Sequence, residues 1–154
     1  MPPRTSSARV AALRLLAQRR LTESQLWSKL LLRGYAHEDV RGAVEACKRD
    51  RYLDDDLFAR LFVEGKVKAV GDARLVGELV RRGVEREAAA AAVEKAPKDQ
   101  NERLLDAIER LFRSRPALSY PSAARSLERL GFPTASIYRH LRERIRCAPE
   151  PSDR

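Results

Sequence analysis

Three stretches decide the reading: Leu26–Gly34 (LWSKLLLRG), Leu75–Gly83 (LVGELVRRG) and Ala123–Gly131 (AARSLERLG). Their glycines, Gly34, Gly83 and Gly131, are 49 and 48 residues apart. Four residues before each stands Leu30, Leu79 or Leu127, and eight before stands Leu26, Leu75 or Ala123. Six after comes Val40, Ala89 or Ile137, and ten after comes Val44, Val93 or Leu141. Positions four apart share one face of a helix. Each copy therefore predicts a helix with a buried stripe, a glycine that ends it in the left-handed conformation, and a second striped helix.

Outward from the glycines, the helix starts are also marked. Thr22-Glu23-Ser24-Gln25 predicts a capping box, with Thr22 as N-cap. Asp72, after Gly71, is the matching N-cap candidate, and Ser119 or Ser122, around Pro121, serves the third copy. Asp54, Asp55 and Asp56 put negative charge before Leu57, where a helix N-terminus favours it, so capping explains them better than a metal site. A longer helix precedes each glycine helix, at about 7–20, 55–70 and 101–115. The fold predicted is all-α: three tandem three-helix repeats at 8–50, 51–97 and 98–147, with tails at 1–7 and 148–154. A unit of this size buries little surface alone, so stacking into an elongated array with shared cores is expected.

Composition agrees with this class. The 154 residues are 44% apolar and 34% charged, with 7 glycines. Leu, Ala, Arg and Glu, all good helix formers, dominate. The net charge of +9 is uneven. Residues 1–50 carry ten Lys/Arg against five Asp/Glu, residues 51–100 ten against ten, and residues 101–154 eleven against seven. Such an excess favours a polyanion or an acidic protein surface, although 25 Arg beside 6 Lys also fits simple coding bias. Cys47 and Cys147 form neither a disulfide framework nor a zinc knuckle, which suits a reducing cytoplasm. No apolar run reaches membrane length, and the arginine-studded N-terminus is no secretory signal.

No catalytic constellation emerges. There is no phosphate-cradling glycine loop, nucleophile elbow or zinc spacing, and His37 and His140 read as surface residues. No cofactor is expected. Tyr52, Phe58 and Phe62, six and four apart, read as core rather than as a base-stacking platform. Glu78 reads either as a pair for Arg82, four residues on, or as a contact to a binding partner, with the pairing favoured.

The candidate binding residues are basic. Arg139, Arg142 and Arg146 make one stripe on the last helix, with Tyr138, Leu141 and Ile145 expected to face the core. Lys29 and Arg33 belong to the glycine helix of the first unit, Arg74, Arg81 and Arg82 to that of the second, and Arg125 and Arg129 to that of the third. Arginines in groups match phosphate or carboxylate better than any one alone.

The second unit carries a resemblance. Tyr52-Leu53-Asp54-Asp55 through Phe58-Ala59 to Phe62-Val63 resembles the Tyr-Leu-acidic-Asp, Phe-Ala, aromatic-Val pattern of the RecX family. Gly71-Asp72-Ala73-Arg74-Leu75, then Glu78-Leu79, then Arg82-Gly83-Val84 is similar to that family's following stretch. Gln25-Leu26, Lys29-Leu30 and Arg33-Gly34 match its first-unit element, and Leu127–Phe132 is a weaker copy. Arg51 stands where the family usually has Gly, and Leu130 where a basic residue is common. The resemblance spans about residues 8–146. It implies a curved, non-enzymatic helical array that binds the RecA recombinase filament on single-stranded DNA and mainly inhibits its assembly, ATP hydrolysis and strand exchange. It also implies a monomer in the cytoplasm, acting in recombinational repair and the SOS response, with DNA contact direct or indirect.

The main rival is a helix-turn-helix transcription regulator. Its recognition helices would open with His37-Glu38-Asp39 and Glu85-Arg86-Glu87, whose carboxylates suit phosphate poorly. Only the third unit, with Thr134, Ser136, Arg139 and His140, could read bases. A general helical scaffold for another protein, and salt-sensitive nucleic-acid binding by charge alone, are the other readings.

Overall fold

The computed structural model describes residues 7–66 and 68–148. Most of the two expected tails, 1–6 and 149–154, lies outside the described residues. Among these residues there are nine helices and no strand. They are α1 (Ala8–Gln18), α2 (Glu23–Leu32), α3 (His37–Arg49), α4 (Asp55–Glu64), α5 (Asp72–Arg81), α6 (Arg86–Glu94), α7 (Gln100–Ser114), α8 (Tyr120–Arg129) and α9 (Thr134–Cys147).

The twelve stripe positions around the glycines are all buried, none more than 4% exposed. Gly34, Gly83 and Gly131 all have positive φ, at 77°, 96° and 88°. Each follows a helix whose last carbonyls it satisfies: Gly34 N–H donates to Leu31, Gly83 to Val80 and Gly131 to Glu128. The chain can then reverse into the third helix of the unit.

The capping box at Thr22 forms in both directions, with Gln25 N–H donating to Thr22 Oγ1 and Thr22 N–H to Gln25 Oε1. Asp54 accepts from Leu57 N–H, and Ser119 accepts from Ser122 N–H. Gly71, not Asp72, is the N-cap of α5, and Asp72 is the first helical residue. The helix expected over 55–70 stops at Glu64, because Gly65 ends it and Val70 is needed in the core before α5 begins.

The apolar residues sort into three clusters rather than the shared cores expected. One is built on Leu26, Leu30 and Val44, one on Leu75, Leu79 and Ala89, and one on Leu104, Leu127 and Ile137. Leu130 packs against both the second and the third. Helix-on-helix packing is extensive within units, as between α1 and α3, α5 and α6, or α8 and α9. Where one unit meets the next, helix ends touch.

Tyr52 is 61% exposed and is not core, since it lies just outside α3 in the turn leading to α4. Phe58 and Phe62 are half-buried one turn apart on α4, their rings stacked at 6.3 Å. On α9, Ile137 and Leu141 fill the core, while Tyr138 and Ile145 are 46% and 52% exposed. Toward the end of α9, residues 142–148 are exposed throughout.

Arg51 is the single non-glycine with positive φ among the described residues, at 61°. The position where the sequence pattern leads one to expect Gly is thus a left-handed one in this chain. Such a conformation costs an L residue about 1–2 kcal/mol. Arg51→Gly removes that strain but gains chain freedom on unfolding, which offsets up to about 1 kcal/mol. The expected net is a rise of about 0.5 kcal/mol in unfolding free energy by urea titration, whereas Arg51→Val, β-branched at positive φ, should lower it by about 1 kcal/mol.

Candidate functional site

The candidate basic residues are placed by the joints between units. At the first joint the Thr22 hydroxyl donates to the Arg82 carbonyl, and Glu23 N–H donates to Asp55 Oδ1 at 2.8 Å. At the second, Gly71 N–H donates to the Leu130 carbonyl at 2.8 Å, and Asp72 N–H donates to Gln100 Oε1 at 2.8 Å. The two joints follow one rule. The glycine helix of a unit begins against the C-terminal cap of the next unit's glycine helix. Its first N–H is taken by the first residue of the next unit's opening helix. Burial pushes the Asp55 carboxyl above its usual range, against the pull of the Glu23 N–H.

Close backbone approach makes these joints possible. A Cβ on Gly71 would lie 2.1 Å from the Gly131 carbonyl oxygen, and one on Gly83 would lie 2.3 Å from Ser24 Cβ. The helices α8, α5 and α2 therefore form a row in which the end of one meets the start of the next. At each joint the positive end of one helix dipole meets the negative end of another.

This row carries seven of the ten sequence-predicted residues: Lys29 and Arg33 at α2, Arg74, Arg81 and Arg82 at α5, and Arg125 and Arg129 at α8. Arg81 and Arg129 each stand two residues before their glycine. The matching residue of the first unit is Leu32, which is 88% exposed. Of the ten, only Arg74 is held by a carboxylate among the described residues. Its Nε donates to Glu78 Oε1 at 3.1 Å, and another guanidinium nitrogen donates to the Arg129 carbonyl at 3.3 Å, across the second joint.

Glu78 is 8% exposed and does not give its carboxylate to Arg82. Lys66 Nζ lies 2.6 Å from its second oxygen, so Lys66 and Arg74 clasp it between them. Lys66 above all, and Arg74 with it, hold the Glu78 carboxyl below its usual range, although burial works the other way. Arg82 instead donates to the Glu78 backbone carbonyl and lies 4.6 Å from the centre of the Phe62 ring, which Lys66 also approaches at 4.8 Å. Thus Phe62 serves as a seat for two cations.

Arg139, Arg142 and Arg146 are exposed on α9, outside the row. Arg142 donates to the Tyr138 carbonyl, and Arg144, between them, lies 4.6 Å from the centre of the Phe112 ring. His140 is not a surface residue, because its side chain is only 11% exposed. It bridges Asn101 on α7 at 2.6 Å and Glu143 at 3.1 Å. Sequence reading missed Lys68, Arg110 and Arg115, which stand near Arg74 and Arg129 at the second joint. They belong to the α4–α5 linker, to α7 and to its C-cap, so no repeat register points to them.

No cluster of three or more potential metal ligands occurs among the described residues, and none of their helices is long and apolar enough to cross a membrane.

Residues 8–47 match the family model described as RecX, first three-helix domain. The "Regulatory protein RecX" of Vibrio campbellii is 30% identical over 132 residues, 83% of this chain and 85% of that protein. The chain belongs to the RecX family. A "Regulatory protein RecX" of Caldanaerobacter subterraneus is 42% identical over 77 residues, and one of Treponema pallidum is 36% identical over 104. The matched parts span 39% and 63% of those two RecX proteins. The crystal structure of RecX from Lactobacillus salivarius shares the fold, with a TM-score of 0.77 at 19% identity over 88% of this chain and 93% of that one.

Proposed function

We propose that this RecX-family chain binds the RecA recombinase filament on single-stranded DNA and restrains it, acting by binding rather than by catalysis. In this reading it is a cytoplasmic monomer. It limits filament assembly, ATP hydrolysis and strand exchange during recombinational repair and the SOS response. The observation that carries the reading is the row α8–α5–α2. It is an edge of helices that meet end to start and carry seven of the basic side chains, of which only Arg74 is held by a carboxylate among the described residues. Such an edge suits a repeating polyanionic or acidic partner along its length. It suits a base-reading helix less well, since α3 and α6 open with exposed Glu38, Asp39, Glu85 and Glu87.

The test is ATP hydrolysis by the cognate RecA on single-stranded DNA, with this chain titrated in at moderate salt. Inhibition well below one copy per recombinase monomer is expected, and would favour end-capping or filament destabilisation over competition for DNA. No effect at any ratio would overturn the reading and return the helix-turn-helix and scaffold alternatives.

The exposed α9 stripe is part of the proposed interface. Reversing Arg139, Arg142 and Arg146 to Glu together should raise the half-inhibitory concentration at least about tenfold, given about 0.5–1 kcal/mol for each charge contact. Helix content by circular dichroism should not change, as all three side chains are exposed. Unchanged inhibition would remove α9 from the interface.

A further inference from the structure

The second joint leaves an open groove of about 490 Å³ between α5, α7, α8 and the linker before α5. Its rim carries Lys68, Arg74, Arg110, Arg115 and Arg129, and among the described residues no carboxylate lines it. The floor is apolar, formed by Ala69, Ala107, Leu111 and Leu130. We infer that this groove binds the sugar–phosphate backbone of single-stranded nucleic acid, so that the chain touches DNA directly. The inference deepens the filament reading above and rests on it.

Three observations converge. First, the positive lining is local and not a diffuse arginine excess. The groove beside the first joint is lined by Glu23, Asp54, Asp55, Asp56 and Glu85 against Lys48 and Arg51. Two grooves of one repeat array thus carry opposite sign. Second, Arg74 is pre-set. Glu78 holds its Nε and the Arg129 carbonyl holds a terminal nitrogen, so little side-chain freedom remains to be lost when a ligand arrives. Third, the chemistry alternates as a nucleotide strand does. Cations on the rim face phosphates, while Leu111 and Leu130 offer an apolar bed for sugars and base faces. An acidic protein segment would supply carboxylates to the rim but would leave that bed to polar backbone.

Leu130 also gains a meaning here. It replaces the basic residue common at that place, and half-buried it joins the second and third cores beneath the groove. The positive charge comes instead from Lys68, Arg110 and Arg115, on other elements.

The test uses the full chain without recombinase and a fluorescein-labelled deoxythymidine oligonucleotide, read by anisotropy across a salt series. The wild type should bind with affinity that falls steeply with salt. Arg115→Glu/Arg129→Glu, both exposed, should weaken binding at least about tenfold and flatten the logarithmic salt slope by about two. Arg115→Gln/Arg129→Gln, milder in charge, should weaken it less, and serves if the reversal disturbs folding. Wild-type affinity in both variants would overturn the inference. So would a groove that binds polyglutamate, lost in the double variant, while oligonucleotide binding is untouched, since its ligand would then be an acidic protein. Recombinase inhibition measured in parallel separates the two readings. Inhibition without any oligonucleotide binding would keep the filament reading and sink this one. Groove-dependent oligonucleotide binding with no effect on recombinase would do the reverse.

Discussion

Leu79→Asp is expected to unfold the middle unit and leave the flanking units helical. Leu79 is 0% exposed and sits at the centre of the second core with Leu75, Ala89 and Val93. Shortening a buried leucine costs about 2–5 kcal/mol. Placing a carboxylate there adds a desolvation cost of several kcal/mol, or a proton uptake that takes its place. No cation among the described residues is positioned in that core to pair with it, because Lys66 and Arg74 are already committed to Glu78. The sum exceeds what one small unit can supply, given total stabilities of about 5–15 kcal/mol for a whole domain. Since α4, α5 and α6 hold 10, 10 and 9 residues, circular dichroism should lose roughly a quarter of its helical signal rather than all of it. Total collapse would show that the three cores fold only as one. An unchanged melting curve would show that Leu79 is not in a core.

Gly71→Ala should open the joint between the second and third units without harming either unit. At φ −76° and ψ 163° the backbone of Gly71 is one that alanine adopts freely, so no strain arises from dihedrals. The whole effect is steric. The new methyl would stand 2.1 Å from the Gly131 oxygen, 2.3 Å from its carbon and 2.6 Å from Phe132 N, all backbone atoms that cannot swing away. The units must part by more than an ångström, which breaks the 2.8 Å bond from Gly71 N–H to the Leu130 carbonyl. A cost of about 3 kcal/mol is expected, at the upper end of the usual overpacking range. Small-angle scattering should show a larger radius of gyration, and thermal melting should split into two steps. Gly77→Ala is the control. Nothing lies within 4 Å of its added methyl, and inside α5 the change should stabilise by about 0.5–1 kcal/mol. If Gly71→Ala behaves like Gly77→Ala, the joint is not built as described.

The same physics explains which residues were legible beforehand. Helix periodicity and glycine punctuation are local, so Leu30, Leu79 and Leu127 could be assigned to cores from spacing alone. Capping is local too, which is why Thr22 and Asp54 were placed correctly. Asp72 was misplaced by one position because Gly71 takes the N-cap, its N–H held by Leu130 from another unit. Glu78 had Arg74, Arg81 and Arg82 within helical reach and Lys66 and Lys68 within a loop's length. Only the packed structure chose Lys66 and Arg74, leaving Arg82 to the face of Phe62. Tyr138 and Ile145 follow the α9 stripe, but nothing in their neighbourhood says that the packed helices end before them.

By itself, then, the sequence determined the units: nine helices among the described residues, grouped in threes, each group closing on its own leucines, with glycine at the turn. Motifs spread across the second unit pointed further, to the family. Tertiary structure alone decided how unit meets unit. That the joints are helix end against helix end, that α8, α5 and α2 form one row, and that Lys68, Arg74, Arg110, Arg115 and Arg129 ring one groove depends on residues far apart in sequence, 60 positions for Thr22 and Arg82. Periodicity carries no information at that range, because it records which face of a helix is buried and not which neighbour buries it.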